Sequence, residues 1–284
     1  MKISIVMTVF NVERYLKKAI SSVLNSTHED LELIIVNDKT KDNSMKIVNS
    51  FNDNRIKVIN HSKNQGAGMA RRHGIEAATG EYVITIDGDD WIGSTFLEDL
   101  YKKAIETNAD IVGGGITYIF DDKDPMINQM DETISTGLQK FIDYNNGKII
   151  FLNNKLVRRS LYNKVEYCGR IYCEDTPTII PLMYYANKIA YVKNNDYFYY
   201  MRNSSLTHQK DALKENLYKA LCAKDCIEFF KDKEPEYRNL IPMKQMLFHV
   251  YKLRELNLSK EDIRKYNDDF NELSLYLINL ITYK

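Results

Sequence analysis

The sequence lacks the features that mark membrane, secreted and nucleic-acid-binding proteins. No part of its 284 residues approaches the ~18 consecutive apolar residues that a membrane-spanning helix needs. Met1-Lys2 leads directly into a strand-like run without a small-residue cleavage site, so we expect no signal peptide. Lys plus Arg and Asp plus Glu both total 39, and this balance indicates no nucleic-acid partner. The expected location is the cytoplasm or the inner face of the membrane.

Cysteine is scarce, and its spacing does not match a zinc site. Neither pair, Cys168 with Cys173 or Cys222 with Cys226, has the CxxC pattern. Free cytosolic thiols are therefore expected. The chain does contain 44% hydrophobic and 27% charged residues, which predicts a globular protein with a substantial core. Its length predicts one large domain, or one domain with an appendage.

Strand-like and helix-like patterns alternate over the first hundred or so residues. Strands are predicted over 3–10, 31–36, 55–60, 82–86 and 110–120, and helices over 13–24, 44–51, 67–79 and 95–107, the last one capped by Ser94. This alternation predicts a parallel α/β sheet with helices on both faces. From about residue 213 onward the pattern is helical to the end. In such sheets, ligands bind beyond the carboxyl ends of the strands.

Three carboxylates crowd into the four residues Asp87-Gly88-Asp89-Asp90, directly after an apolar strand. Such acids repel one another unless a cation lies among them, and oxygen ligands suit Mg²⁺ or Mn²⁺. An ion of this kind usually shares its coordination with substrate phosphates. The alternative is a solvated acidic turn. The turn 8–11 and Asp38 also follow strands of the same sheet, and this convergence favours a nucleotide-diphosphate site.

Several blocks of the sequence, in order, resemble glycosyltransferase family 2, the inverting enzymes with the GT-A fold. The matching segments are 3–16, Ile34-Ile-Val-Asn-Asp38 with 42–44, 64–71 with Gly74, Gly80-Glu-Tyr82, Asp87-Gly-Asp-Asp90 and Glu174-Asp175. The resemblance implies a GT-A domain of α/β class with a mixed Rossmann-like sheet over residues 1–208. A C-terminal helical region follows over 209–284. Lys39 departs from the usual Gly, and Thr8 from the Pro of many members.

The resemblance implies a UDP-sugar donor bound at the first strand ends. Backbone groups of the turn Thr8-Val9-Phe10-Asn11 would pair with the base, and Phe10 would stack on it, unless it lies in the core. Asp38 can only accept hydrogen bonds, so it would take the ring N–H of uracil; the alternative is a cap on the next helix or turn. The remaining residues assigned to the donor site are Asn64, Gly66, Arg71, Asp87, Gly88, Arg202 and, as a secondary candidate, Glu13.

Other assignments concern the metal and the leaving group. Asp89 would bind the metal, and His208, in the closing segment with Arg202, would contact the same diphosphate and metal region. That segment has an alternative reading as a capping loop. Arg71 has the alternative of a surface residue paired with Glu76 or Asp38, and Asp87 would hold the ribose or the waters of the metal.

Glu174 and Asp175 are the proposed catalytic acids. Asp175 would act as general base and take the proton of the acceptor hydroxyl, while Glu174 orients the acceptor. The alternative is a helix cap before Thr176-Pro177. A basic cluster at Lys155, Arg158 and Arg159 is interpreted as a solvated face in preference to a site for an acceptor phosphate.

The leading hypothesis is a metal-dependent inverting glycosyltransferase, an enzyme that moves a sugar from a UDP-sugar to a hydroxyl of a glycan or lipid-linked glycan acceptor. Its product would be a polysaccharide, a lipooligosaccharide or a capsule. One alternative is a catalytically silent partner subunit. Another is a nucleotidyltransferase, which would need a Gly-rich phosphate loop where Asn11-Val12-Glu13 stands. The C-terminal helices are expected to dock on the catalytic domain, a second copy or a membrane surface; their mixed charges favour docking or a homodimer.

Overall fold

The computed structural model describes residues 1–145, 151–166, 175–201, 211–238, 243–256 and 258–282. The first part contains β1 (Ile3–Val9), α1 (Glu13–Leu24), β2 (Leu31–Asn37), α2 (Ser44–Asn49), β3 (Ile56–Asn60), α3 (Ala67–Glu76), β4 (Tyr82–Asp87), β5 (Trp91–Ile92) and α4 (Phe96–Thr107). The middle contains β6 (Ile111–Gly113), β7 (Ile116–Ile119), β8 (Met126–Asn128), β9 (Ile134–Thr136), α5 (Gln139–Asn145), β10 (Lys155–Arg158), a 3₁₀ helix (Arg159–Lys164), α6 (Asp175–Tyr185), β11 (Lys188–Tyr191) and β12 (Tyr197–Tyr200). The last part contains α7 (Ala212–Phe230), α8 (Pro235–Arg238), α9 (Met243–Glu255), α10 (Lys260–Lys265) and α11 (Asn267–Thr282).

Among the described residues, eight strands form one mixed sheet in the order β3-β2-β1-β4-β10-β6-β11-β9. The first four are parallel, as the alternation of strands and helices predicts. β10 then runs antiparallel to both β4 and β6. Four further strands form a second, smaller sheet in the order β5-β12-β7-β8. This mixed α/β architecture confirms the predicted fold class.

The region predicted as one strand over 110–120 is two strands in different sheets. β6 belongs to the large sheet and β7 to the small one, and Gly113-Gly114-Gly115 makes the crossing. A Cβ atom on Gly114 would lie 2.7 Å from Cε2 of Phe96, so a side chain there would collide with α4. The prediction that Ser94 caps α4 is also wrong, because Thr95 occupies that position without a side-chain hydrogen bond.

Apolar side chains cover both faces of the large sheet. On one face Leu16 and Ile20 of α1 and Phe96 and Leu100 of α4 pack against the strands. The other face packs against α3, α6 and the end of α7. Both surfaces of the central strands are therefore buried, which explains why these strands are continuous apolar runs rather than alternating ones.

The C-terminal helices α7, α9 and α11 share a third apolar cluster of their own. Within the described part of the chain, no helix combines the length and the apolar character needed to cross a membrane. Cys222 and Cys226 of α7 are buried free thiols, as expected, while Cys168 and Cys173 lie outside the described residues. The expected boundary at 208/209 also lies outside them, so the division into domains stays a prediction.

Candidate active site

The carboxyl ends of β1, β2 and β4 bring the predicted polar residues to one edge of the sheet. Thr8 lies opposite Asp87 in the β1–β4 register, and its Oγ1 donates to Asp87 Oδ1 over 3.0 Å. The backbone N–H of Gly88 donates to the Thr8 carbonyl over 3.1 Å. A Cβ on Gly88 would lie 2.9 Å from that carbonyl oxygen, so glycine allows the turn to close on β1.

Asp87 is held by three other side chains. Besides Thr8, Arg71 Nη2 lies 3.1 Å from both of its oxygens, and Asn153 Nδ2 donates to Oδ2 over 2.8 Å. Burial raises the pKa of the Asp87 carboxyl, but the charge of Arg71, with the Asn153 and Thr8 hydrogen bonds, outweighs burial and lowers it below its ordinary value. Asp87 is therefore an ionised acid fixed in one orientation.

Asp90 connects the acidic turn to β12. It is 2% exposed, and its carboxylate accepts from the Tyr197 hydroxyl over 2.7 Å and from the Tyr200 backbone N–H over 3.1 Å. Burial, together with the charges of Asp89 and Asp87, raises the pKa of Asp90. Asp90 thereby ties the acidic turn to β12. Asp89 lies between these two acids and remains partly exposed.

Arg71 joins the acidic turn to the predicted catalytic acid. Its Nη1 donates to Asp175 Oδ1 over 2.9 Å, while Nη2 contacts Asp87. Arg71 is 6% exposed, so the alternative of a surface residue paired with Glu76 or Asp38 is wrong. Arg72 pairs with Glu76 instead, at 2.8 Å. The guanidinium fork can serve two carboxylates at once because it is planar and carries several donors.

Asp175 is the first residue of α6, where a carboxylate is favoured by the helix dipole. The charge of Asp175 acts on the Lys155 ammonium and on the Tyr162 hydroxyl. Burial lowers the pKa of the Lys155 ammonium to about 7, although the charge of Asp175 opposes this shift. Burial also raises the pKa of Tyr162, and the charge of Asp175 adds to the effect.

The basic cluster at 155–159 is not one solvated face. Lys155 is 2% exposed, and its Nζ donates to Asn154 Oδ1. Arg158 forms ion pairs with Glu81 at 2.8 Å and Asp110 at 2.9 Å. The sequence interpretation expected all three side chains to be exposed. Of the three, Arg159 is exposed, Arg158 is half-buried and Lys155 is buried. Lys155 is buried because β10 is an inner strand of the large sheet. The short run Lys-Leu-Val-Arg does not show from sequence which of its side chains are buried.

Asp38 shapes the loop before α3. Its carboxylate accepts from the backbone N–H groups of Gln65 and Gly66, each over 2.8 Å, and Asn64 Nδ2 donates to its carbonyl over 3.2 Å. Gly66 has φ 85°, a left-handed conformation that favours glycine. Neither α2 nor α3 has a side-chain cap, so Asp38 holds the loop before α3 without capping a helix. A uracil contact by Asp38 stays a prediction.

The turn after β1 packs on the loop after β2. Phe10 is 40% exposed, so it does not lie in the core and its ring can meet a ligand. Asn11 Oδ1 accepts from the Lys41 backbone N–H over 3.1 Å, and Glu13 accepts from that of Asn43 over 2.7 Å. Lys39 has φ 62°, so it adopts the conformation expected of the glycine it replaces. Val9 is buried, and its carbonyl accepts from the Asp38 N–H over 3.0 Å.

Three predicted site residues, Glu174, Arg202 and His208, lie outside the described residues. Within the described ranges, no group of three or more His, Cys, Asp and Glu side chains has the arrangement of a metal site.

Sequence reasoning missed Asn153, which contacts both Asp87 and Thr85. The Thr85 hydroxyl lies 3.4 Å from Asn153 Oδ1 and is 1% exposed. A threonine inside an apolar strand needs a buried polar partner, so Thr85 was the available signal. The next residue, Asn154, has φ 56°, a left-handed conformation that asparagine tolerates. His61, which contacts Asp38, and His73, which contacts His61, were also missed.

Comparison with known proteins finds relatives in sequence and in fold. Glycosyltransferase GlyG of Streptococcus pneumoniae serotype 4 is 28% identical over 245 residues, covering 81% of this chain and 79% of GlyG. The poly(ribitol-phosphate) beta-glucosyltransferase of Bacillus spizizenii is 32% identical over 248 residues, which cover 83% of this chain but 38% of that protein. The structure of S. aureus TarS 1-349 in complex with UDP-GlcNAc superposes with a TM-score of 0.74 at 17% identity, covering 97% of this chain and 81% of that one.

The TarS likeness shows a shared GT-A fold, since its identity is too low to carry more. The family model for glycosyl transferase family 2 matches residues 4–166, more than half of the chain, and it includes most of β1, the acidic turn and Lys155. The chain is therefore a glycosyltransferase and belongs to glycosyltransferase family 2.

Proposed function

We propose that the protein transfers a sugar from a UDP-sugar to a hydroxyl group of a glycan acceptor, with inversion at the anomeric carbon. The observation that carries this proposal is the Arg71 bridge. It places the acidic turn, which would handle the diphosphate, beside Asp175, which would handle the acceptor. The TarS structure was determined with UDP-GlcNAc and with UDP, which supports a uridine diphosphate donor for a chain of this fold.

The nucleoside would lie at the ends of β1 and β2. Asp38 would accept the ring N–H of uracil, and the exposed ring of Phe10 would stack on the base. Thr8, Val9, Asn11, Asn64 and Gly66 would contribute through the shape of the two loops. Asp87 would contact the ribose, because Arg71, Asn153 and Thr8 keep its carboxylate ionised and fixed.

Asp175 would act as the general base. The acceptor oxygen forms a bond to the anomeric carbon while the bond from that carbon to the diphosphate breaks, and its electron pair leaves with UDP. Asp175 takes the proton of the acceptor hydroxyl in the same step. An attacking group and a leaving group on opposite faces of the sugar give inversion. The ion pair with Arg71 favours the ionised carboxylate, which is the form a base needs.

The acidic turn fits a hard divalent cation such as Mg²⁺ or Mn²⁺. Asp90 is buried under β12, whereas Asp87 and Asp89 are both partly exposed, and Asp87 is engaged by Arg71 and Asn153. Asp89 would hold the ion, with His208 from the segment outside the described residues. When bound, the ion would neutralise the charge that develops on the departing diphosphate.

The acceptor is proposed to be a surface glycan. The Bacillus relative is named as a glucosyltransferase acting on poly(ribitol-phosphate), a polymer with free hydroxyl groups. That name belongs to a protein of which this chain spans 38%, so it supports the class of acceptor and not its identity.

A panel of UDP-sugars tests the proposed donor class. Purified protein with Mn²⁺ is incubated with each UDP-sugar, and released UDP is measured. The expected result is slow hydrolysis of one or two sugars, since water can replace the acceptor at a low rate. Matched ADP-sugars and GDP-sugars serve as controls. Hydrolysis of an ADP-sugar or a GDP-sugar in preference to every UDP-sugar would contradict the proposal.

A further inference from the structure

A chain of three hydrogen-bonded side chains lies behind the proposed nucleoside site. Asp38 Oδ1 lies 2.8 Å from His61 Nδ1, and His61 Nε2 lies 2.8 Å from His73 Nδ1. The two imidazole rings meet edge to face, with centroids 4.9 Å apart. Asp38 is 2% exposed and His61 is 7% exposed, so the first link is shielded from water. This chain, called the Asp38 relay below, has no part in the reaction steps already described.

The hydrogen bonds of the relay fix where its protons lie. A carboxylate oxygen accepts, so a hydrogen bond between Asp38 and His61 Nδ1 has the hydrogen on Nδ1. In the neutral ring, His61 Nε2 is then an acceptor, and the Nδ1–H of His73 supplies its hydrogen. His73 therefore selects the His61 tautomer that can donate to Asp38. A histidine held by a second group in this way is oriented as well as bonded.

The relay and the loop before α3 use the two oxygens of Asp38 unequally. Oδ1 accepts from both His61 and the Gln65 N–H, whereas Oδ2 accepts from the Gly66 N–H. A carboxylate oxygen accepts about two hydrogen bonds, so Oδ1 is saturated and Oδ2 keeps acceptor capacity. Without the His61 bond, the carboxylate would lose a donor that fixes its rotation.

We propose that His61 is a positioning residue for nucleotide recognition, which holds the Asp38 carboxylate in place as an acceptor and makes the site select uracil over cytosine. Uracil presents an N–H at the ring edge where cytosine presents an acceptor nitrogen, and a fixed carboxylate attracts the first and repels the second. The inference rests on the proposed function, in which Asp38 meets the base. His73 acts one step further out, by holding the tautomer of His61.

Two polar substitutions of His61 separate positioning from packing. In His61→Asn, the amide nitrogen takes the place of Nδ1, so it can donate to Asp38 but cannot reach His73. In His61→Gln, the amide takes the place of Nε2, so it can reach His73 but cannot donate to Asp38. Binding of UDP and CDP to each purified protein is measured by calorimetry in the presence of Mn²⁺, and unfolding midpoints are measured in parallel.

The expected result is a change in the ratio of the two dissociation constants. Wild type and His61→Asn bind UDP more tightly than CDP by a similar factor, whereas in His61→Gln this factor falls at least tenfold. His28→Leu is the matched control. His28 is another buried histidine paired with a carboxylate, Glu98 at 3.1 Å, and its loss should lower the unfolding midpoint while leaving the UDP-to-CDP ratio unchanged.

Failure of the inference is distinguishable from failure of the proposed function. A wild-type protein that binds CDP as tightly as UDP contradicts the uridine donor itself. A wild type that prefers UDP, with a His61→Gln variant that keeps the full preference, overturns the role of His61 alone. Equal losses of preference in His61→Asn and His61→Gln also overturn it, because packing would then account for both.

Discussion

Arg71 and Asp175 form an ion pair of 2.9 Å although 104 residues separate them in the chain. The same guanidinium contacts Asp87 at 3.1 Å, so one buried cation serves the acid at the end of β4 and the acid at the start of α6. Each half of the proposed reaction thus depends on the position of Arg71. The bridge also gives two partly buried carboxylates a shared cationic partner.

Arg71→Met should impair both stability and turnover. The variant leaves Asp87 and Asp175 without their shared cation, which should lower the free energy of unfolding by about 3–5 kcal/mol. Turnover should fall at least ~100-fold, since both acids lose their orientation. Urea unfolding and UDP release measure the two effects. Arg72→Met is the control: its pair with Glu76 lies on the surface, so its stability should change by less than ~1 kcal/mol. Wild-type turnover in Arg71→Met would contradict the bridge.

Asn153→Ala should weaken the nucleotide site without unfolding the protein. The substitution removes the 2.8 Å hydrogen bond to Asp87 Oδ2, a bond to a charged group worth about 1.5–3 kcal/mol. UDP affinity, measured by calorimetry, should therefore fall. Asn194→Ala removes a similar amide–carboxylate bond, to Asp99 at 2.6 Å, away from the acidic turn. Equal loss of UDP affinity in both variants would show that Asn153 has no specific role.

Stability should rise with pH in a way that depends on Lys155. Burial lowers the pKa of Lys155 to about 7, so between pH 7 and 10 the unfolded chain holds a proton there that the folded chain has released. Unfolding then takes up a proton, and the free energy of unfolding increases with pH, by on the order of 1 kcal/mol per pH unit. Lys155→Met should lack this increase. Parallel pH profiles of the two proteins in urea unfolding would contradict the buried, depressed lysine.

The parallel half of the fold is predictable from the sequence, and the reason is local. β1, β2 and β4 are apolar runs, and the helices between them have apolar residues at helical spacing. The type of each element can therefore be predicted from its own residues. The acidic turn was equally visible, because Asp87, Asp89 and Asp90 are adjacent in the chain.

Other features depend on packing between distant segments. The run Gly113-Gly114-Gly115 predicts a loosened strand over 110–120, but the entry of β6 and β7 into different sheets is not visible in the sequence. The burial of Lys155 follows from the central place of β10 in the sheet. The Arg71–Asp175 pair and the Asp38 relay likewise join separate elements. Propensity and spacing describe single elements, so these long-range contacts required the structure.

Removal of divalent cation should weaken UDP binding through Asp89. EDTA is expected to raise the dissociation constant of UDP at least ~10-fold in wild type, because the ion shares its coordination with the diphosphate. Asp89→Ala should show weak binding with or without EDTA. Asp53→Ala is the control: Asp53 pairs with Arg55 before the start of β3, away from the carboxyl edge, so it should respond as wild type. UDP binding in wild type that is indifferent to EDTA would exclude the metal role.

The most direct test is the Asp175→Asn variant, assayed for UDP binding and for transfer. Asparagine can still accept from Arg71 but cannot take a proton, so UDP should bind within ~3-fold of wild type while turnover of the identified UDP-sugar falls by ~100-fold or more. Asp110→Asn, which alters another Arg–Asp pair at 2.9 Å, should leave turnover unchanged. Full turnover in Asp175→Asn, with UDP binding intact, would contradict Asp175 as the base of an inverting transfer.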